Sequence, residues 1–174
     1  MINNEAVSSA SDYKVNHRPS RQDSDLIRAR NHALRLINYR PRSEKELQNR
    51  LKERGYSQEI IGIIAGEFKA KGLIDDKAFA RLWVRMRSQT TPRGLSAIKR
   101  ELFLKEVDGG IADEAIGELK KNFDEEAVAR GLLNKRLALM KGLDKQKQKA
   151  RLFGYLKRRG FSDEVVYKLL NETY

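Results

Sequence analysis

Leu51-Lys52-Glu53-Arg54-Gly55-Tyr56-Ser57-Gln58-Glu59-Ile60-Ile61 returns later in the chain as Leu156-Lys157-Arg158-Arg159-Gly160-Phe161-Ser162-Asp163-Glu164-Val165-Val166. Six of the eleven positions are identical, and four of the other five keep their chemical character. Leu47 maps to Leu152 and Ile64 to Leu169 at the same offset of 105. A middle copy lies at an offset of 51, where Leu47, Leu51, Ile60, Ile64 and Phe68 become Ile98, Leu102, Ile111, Ala115 and Leu119. Self-similarity at such a period is the mark of a repeat architecture.

Each copy is built from amphipathic helices. Leu26, Ala33 and Ile37 share one helical face, and Pro41 ends that helix. Ser43 with Glu46 forms a capping box ahead of Leu47 and Leu51. Gly55 is placed to close this second helix in a left-handed conformation, and Ser57 starts a third along Ile60, Ile61, Ile64 and Phe68. Asp108 replaces Ser57 as N-cap in the middle copy. Asp75 to Arg81 and Asp124 to Arg130 repeat a helix start. No stretch alternates with the period-two pattern of a strand. The expected fold is all-α: three tandem three-helix repeats, residues 25–73, 74–123 and 124–174, stacked into an elongated, curved solenoid with a continuous core. Residues 1–24, rich in serine and without an apolar stripe, are expected to be a disordered tail.

The 174 residues carry 36 Lys plus Arg against 24 Asp plus Glu, a net charge of +12, which favours a polyanionic partner. The surplus is concentrated. Arg81, Arg85, Arg87, Arg93, Lys99 and Arg100, followed by Lys105, face only Glu101. From Arg130 to Arg159 eleven basic residues, among them Lys135, Arg136, Lys145, Lys149, Arg151, Lys157 and Arg158, face only Asp144. Lys141, Lys145 and Lys149 have the spacing of a helical stripe. Such rows follow phosphates without reading base edges. The sole tryptophan, Trp83, is expected in the core.

Catalytic patterns are missing. No cysteine exists, which removes thiolate chemistry and disulfides. The two histidines, His17 and His32, lie apart, and no Gly-Lys dipeptide offers a phosphate-cradling loop. Asp75-Asp76 and Asp124-Glu125 are expected to cap helices rather than to bind magnesium. The reading is a protein that is not an enzyme, needs no cofactor and holds no metal. The longest apolar run, Ile60 to Ala65, is far short of the roughly 20 residues of a membrane span, and the N-terminus has no secretory pattern. A cytoplasmic monomer is expected.

Three motifs in order resemble the RecX family of recombination regulators: Ser43-x-x-Glu46-Leu47-x-x-Arg50-Leu51-x-x-x-Gly55-Tyr56, the junction Gly72-Leu73-Ile74-Asp75-Asp76-x-x-Phe79-Ala80 with Trp83-Val84-Arg85, and Gly94-x-x-x-Ile98-x-x-Glu101-Leu102. The similarity covers about residues 26–172. It departs in the middle unit, where Glu106-Val107 stands at the family's usual Lys-Gly-Ile type of turn. The resemblance implies binding to the RecA recombinase filament on single-stranded DNA, mostly inhibiting its ATPase, strand-exchange and coprotease activities. It thereby implies a part in DNA repair, recombination and the SOS response. It carries over only a region, the basic middle and C-terminal units, with single-stranded DNA within reach of the basic stripes. The alternative is a helix-turn-helix DNA-binding protein, since Leu47-x-x-x-Leu51, a turn and another helix fit that motif.

Overall fold

The computed structural model describes residues 21–174. Among them are nine helices and no strand: α1 (Arg21–Tyr39), α2 (Glu44–Glu53), α3 (Gln58–Ala70), α4 (Asp76–Thr90), α5 (Leu95–Leu104), α6 (Gly109–Lys120), α7 (Glu125–Ala138), α8 (Lys145–Arg158) and α9 (Asp163–Thr173). The expected tail lies mostly outside the described residues, but Arg21 to Ser24 are corrected to helix. That first turn carries Asp23, which favours the helix dipole, and Gln22 Nε2 donates to Glu59 Oε1 at 3.3 Å.

The sequence signals act locally as expected. Ser43 Oγ accepts the Glu46 N–H at 3.1 Å, and Glu46 Oε2 accepts the Ser43 N–H at 3.4 Å. Asp75, Asp108, Asp124 and Asp144 cap α4, α6, α7 and α8 through their side chains. Each unit's second helix ends in the same turn. The Tyr56, Val107 and Phe161 N–H groups donate to the carbonyls of Leu51, Leu102 and Leu156 at 3.3, 3.2 and 3.4 Å. Gly55 and Gly160 occupy the left-handed position with φ of 84° and 81°. Glu106 holds it in the middle unit with φ 54°, the one non-glycine residue with positive φ among those described. The middle unit therefore keeps the turn of the other two, at the steric cost that a Cβ brings to this region.

The repeat shows in what is buried. Leu47, Ile98 and Leu152 are fully enclosed, as are Leu51, Leu102 and Leu156. The expected continuous core is corrected, however. Three separate apolar clusters form, one per unit, centred on Leu51, Leu102 and Leu156. The helices pack mainly within α1–α3, α4–α6 and α7–α9.

Backbone groups at helix ends join the units instead. At the first junction Ser43 Oγ donates to the Lys105 carbonyl at 2.7 Å, and the Glu44 N–H donates to Asp76 Oδ1 at 2.8 Å. At the second, the Gly94 N–H donates to the Arg159 carbonyl at 3.0 Å, and the Leu95 N–H donates to Glu125 Oε1 at 3.0 Å. Ser43 and Gly94 are counterparts, as are Lys105 and Arg159, so one docking geometry is used twice. The N-terminus of each unit's second helix seats on the end of the next unit's second helix. A chain of such contacts sets the three units in a row.

Candidate partner and nucleic-acid interface

The middle unit's basic residues fall into two groups. Arg87 and Arg93 are tied to one carboxylate, Glu101, at 2.6 and 2.9 Å. The same Glu101 accepts the Trp83 Nε1–H at 3.0 Å, and its side chain is only 15% exposed. Arg87 and Lys105 lie over the Trp83 ring at 4.7 and 4.1 Å, and Phe79 stacks beside it at 6.0 Å. Trp83 is thus a half-buried structural ring between two cations. Arg81 reaches Glu118 at 3.7 Å, and Lys99 pairs with Asp113. Arg85 and Arg100 are exposed and make no ion pair among the described residues.

The third unit leaves more of its cations without an ion pair among the described residues. Lys135, Lys145, Arg151 and Arg158 are exposed without an ion pair. Lys149 donates to Asn171 Oδ1 at 3.4 Å, and Lys157 pairs with Asp163 at 2.8 Å. Arg136 and Arg159 lie over the Tyr155 ring at 5.5 and 4.9 Å. The three-lysine stripe is corrected: Lys141 lies in the connection before α8, so only Lys145 and Lys149 share that helix.

One feature of α5 adds an apolar element. Arg100, Phe103 and Leu104 have the i, i+3, i+4 spacing of one helical face, and Phe103 and Leu104 are 74% and 73% exposed. Large apolar side chains left in water beside a free guanidinium suit a protein surface more than a phosphate chain.

In the sequence Glu101 is a lone acid within a basic stretch; in the fold it gathers three side chains, which no local signal announces. Asp75 and Asp124 cap as expected, but Asp76 and Glu125 accept amides of the preceding unit. Placing that second role needs the junction itself. No group of three or more metal-ligating side chains occurs among the described residues. No helix there is long and apolar enough to cross a membrane.

Fold and surface together define an all-helical repeat protein with exposed cations on its second and third units. Models of the first, second and third three-helix domains of RecX match residues 29–62, 75–116 and 124–170. The chain belongs to the RecX family. It is 34% identical over 137 residues to the regulatory protein RecX of Amycolatopsis mediterranei (strain U-32), covering 79% of this chain and 78% of that one. It is 32% identical over 150 residues to the regulatory protein RecX of Prosthecochloris aestuarii (strain DSM 271 / SK 413), covering 86% and 96%. In fold it is similar to a crystal structure of RecX from Lactobacillus salivarius, with a TM-score of 0.74 at 24% identity over 86% of this chain and 96% of that one.

Proposed function

We propose that this chain is a cytoplasmic, non-enzymatic regulator that binds the RecA recombinase filament on single-stranded DNA and restrains its ATPase, strand-exchange and coprotease activities. Membership of the RecX family supports the reading. The observation that carries it is the combination of exposed Arg100, Phe103 and Leu104 on α5 with free cations at Arg85, Lys135 and Arg151. A protein partner bearing acidic side chains fits the first, and either that partner or its bound DNA fits the second. Three units joined in a row by hydrogen bonds to backbone groups at helix ends provide an extended, semi-rigid contact surface.

The test is a titration of the protein into RecA filaments on single-stranded DNA while ATP hydrolysis is followed. A fall in hydrolysis is expected, weakened when Arg85, Arg100 and Arg151 are replaced together by Ala with helix content unchanged. Unaltered hydrolysis at several-fold molar excess, with no complex detected, rejects the reading. A duplex sequence preference recovered by selection would instead support a helix-turn-helix protein.

A further inference from the structure

The end of the first unit carries an open cleft of about 640 Å³. His32, Arg35 and Tyr39 reach it from α1, Arg42 from the α1–α2 connection, and Arg54 and Tyr56 from the turn that closes α2. Three guanidiniums line it and no carboxylate does. Arg42 is braced, since its Nε–H donates to the Leu36 carbonyl at 3.1 Å. Arg35 and Arg54 are exposed and make no ion pair among the described residues. Tyr39 is 84% exposed, and the His32 and Tyr56 rings sit 6.1 Å apart. Burial holds the His32 imidazole below its usual range, and Arg54 and Arg35 add to the effect.

The other two units show what such a place ordinarily holds. At the offset of 51, His32, Arg42, Arg50 and Arg54 correspond to Trp83, Arg93, Glu101 and Lys105. In the second unit Glu101 neutralises Arg93 at 2.9 Å, and Glu46 of the first unit neutralises Lys105 at 3.0 Å. In the third unit the ring of Tyr155 receives Arg136 and Arg159. The first unit has neither solution. Arg50 stands at the position of Glu101 and pairs with Glu53 at 2.7 Å. Arg54 forms no ion pair among the described residues, although Asp25 and Glu59 line the neighbouring cleft with it. Of the cleft's three guanidiniums, Arg42 and Arg54 thus have counterparts that find a partner within the protein, whereas Arg35 and Tyr39, aligned with Met86 and Thr90, belong to the first unit alone.

We propose that this cleft binds a single-stranded polynucleotide, with phosphate oxygens on Arg35, Arg42 and Arg54 and a base stacked on Tyr39. Guanidinium forks match phosphate oxygens in geometry as well as charge. A carboxylate-bearing peptide would satisfy the arginines but has no use for the exposed ring, whereas stacking on aromatic faces is how single strands are held without sequence preference. The cleft falls within the range of roughly 300–1,000 Å³ typical of small-ligand pockets, so a nucleotide unit fits where a lone carboxylate would leave it mostly empty. The site is separate from the basic faces of the second and third units and does not depend on any recombinase.

The experiment uses the full chain with an oligothymidylate carrying 5-iodouracil. Ultraviolet cross-linking should place the strand on the peptide containing Tyr39. Arg35→Ala with Arg54→Ala should weaken binding about tenfold at low salt and reduce the log–log salt slope by about 1.4, the share of two phosphate contacts on a single strand. Tyr39→Ala should weaken binding about fivefold while keeping the slope. Arg85→Glu with Arg151→Glu, a control on the other units, should leave the Tyr39 cross-link in place. Absence of any ATPase effect on the recombinase would not touch these outcomes. Cross-links confined to α4–α8, or an unchanged salt slope in the double arginine variant, would overturn the proposal. So would displacement by a glutamate-rich peptide without a Tyr39 cross-link, which would assign the cleft to a protein partner.

Discussion

Gly94 and Gly160 meet backbone to backbone across the second junction. A Cβ placed on Gly94 would lie 2.1 Å from the Gly160 carbonyl oxygen, and one on Gly160 would lie 2.3 Å from the Ala97 nitrogen. Neither neighbour is a flexible side-chain end, so any relief must move a whole unit.

Gly94→Ala should therefore cost about 1–3 kcal/mol by forcing the second and third units apart. Gly55→Ala serves as the comparison, because its φ of 84° brings backbone strain alone, with nothing within 4 Å, whereas Gly94 has an ordinary φ of −75° and meets only the clash. That variant should lose only about 1 kcal/mol. Urea unfolding of the two side by side checks the ordering. No loss in Gly94→Ala would mean that the tight junction contributes nothing.

Glu106 is held at φ 54°, where its two counterparts are glycine. Its carboxylate accepts from Asn49 Nδ2 at 2.7 Å, an exposed hydrogen bond across the first junction. The steric penalty of a side chain in this region, about 1–2 kcal/mol, exceeds the worth of one exposed bond. Glu106→Gly should raise stability by up to about 1 kcal/mol, read from the unfolding midpoint. A drop in the midpoint would show that the Asn49 bond dominates.

Glu101→Gln should destabilise the middle unit by about 2–3 kcal/mol, because Arg87 and Arg93 would be left half-buried without their counter-charge. Trp83, the only tryptophan, is hydrogen-bonded to Glu101, so its fluorescence reports the loss directly. Arg85→Ala, at an exposed residue with no ion pair, should leave both stability and emission unchanged.

Stability should fall in acid through the first junction. Burial pushes the Glu46 carboxyl up, but hydrogen bonds from Arg40 and Lys105 outweigh it and bring it down to about 2 from an ordinary 4.5. In the unfolded chain the group binds its proton at the higher value. Its contribution is thus complete above pH 4.5 and drains away as pH falls towards 2. The full amount is on the order of 3 kcal/mol. Asp76, raised by burial, runs the other way and offsets part of it. Urea midpoints across this window should slope downward with acid, and Glu46→Gln should flatten that slope.

Much of the architecture was legible in the chain because helix periodicity, caps and the repeated Leu-Lys-x-Arg-Gly turn are local signals. Ser43, Ser57, Asp75, Asp108 and Asp124 each cap the helix that their position announced. The basic residues were legible only as a charge count. Arg85 and Arg87 are two residues apart, yet one is free and the other is locked to Glu101. Arg35, Arg42 and Arg54 stand near acids in the sequence such as Glu46 and Glu53, and only the fold commits those carboxylates to Arg40, Lys105 and Arg50.

The sequence by itself determined three helical units, their starts, their ends and which leucines each would bury. These follow from hydrogen-bonding and periodicity over a few residues. Only the tertiary structure decided that the cores stay separate, that the units join through amides and carbonyls at helix ends, and which cations keep their charge for a partner. Those outcomes depend on which carboxylate or carbonyl lands within about 3 Å of a donor, from 8 positions away for Arg93 and Glu101 to 65 for Gly94 and Arg159, and only folding sets that distance.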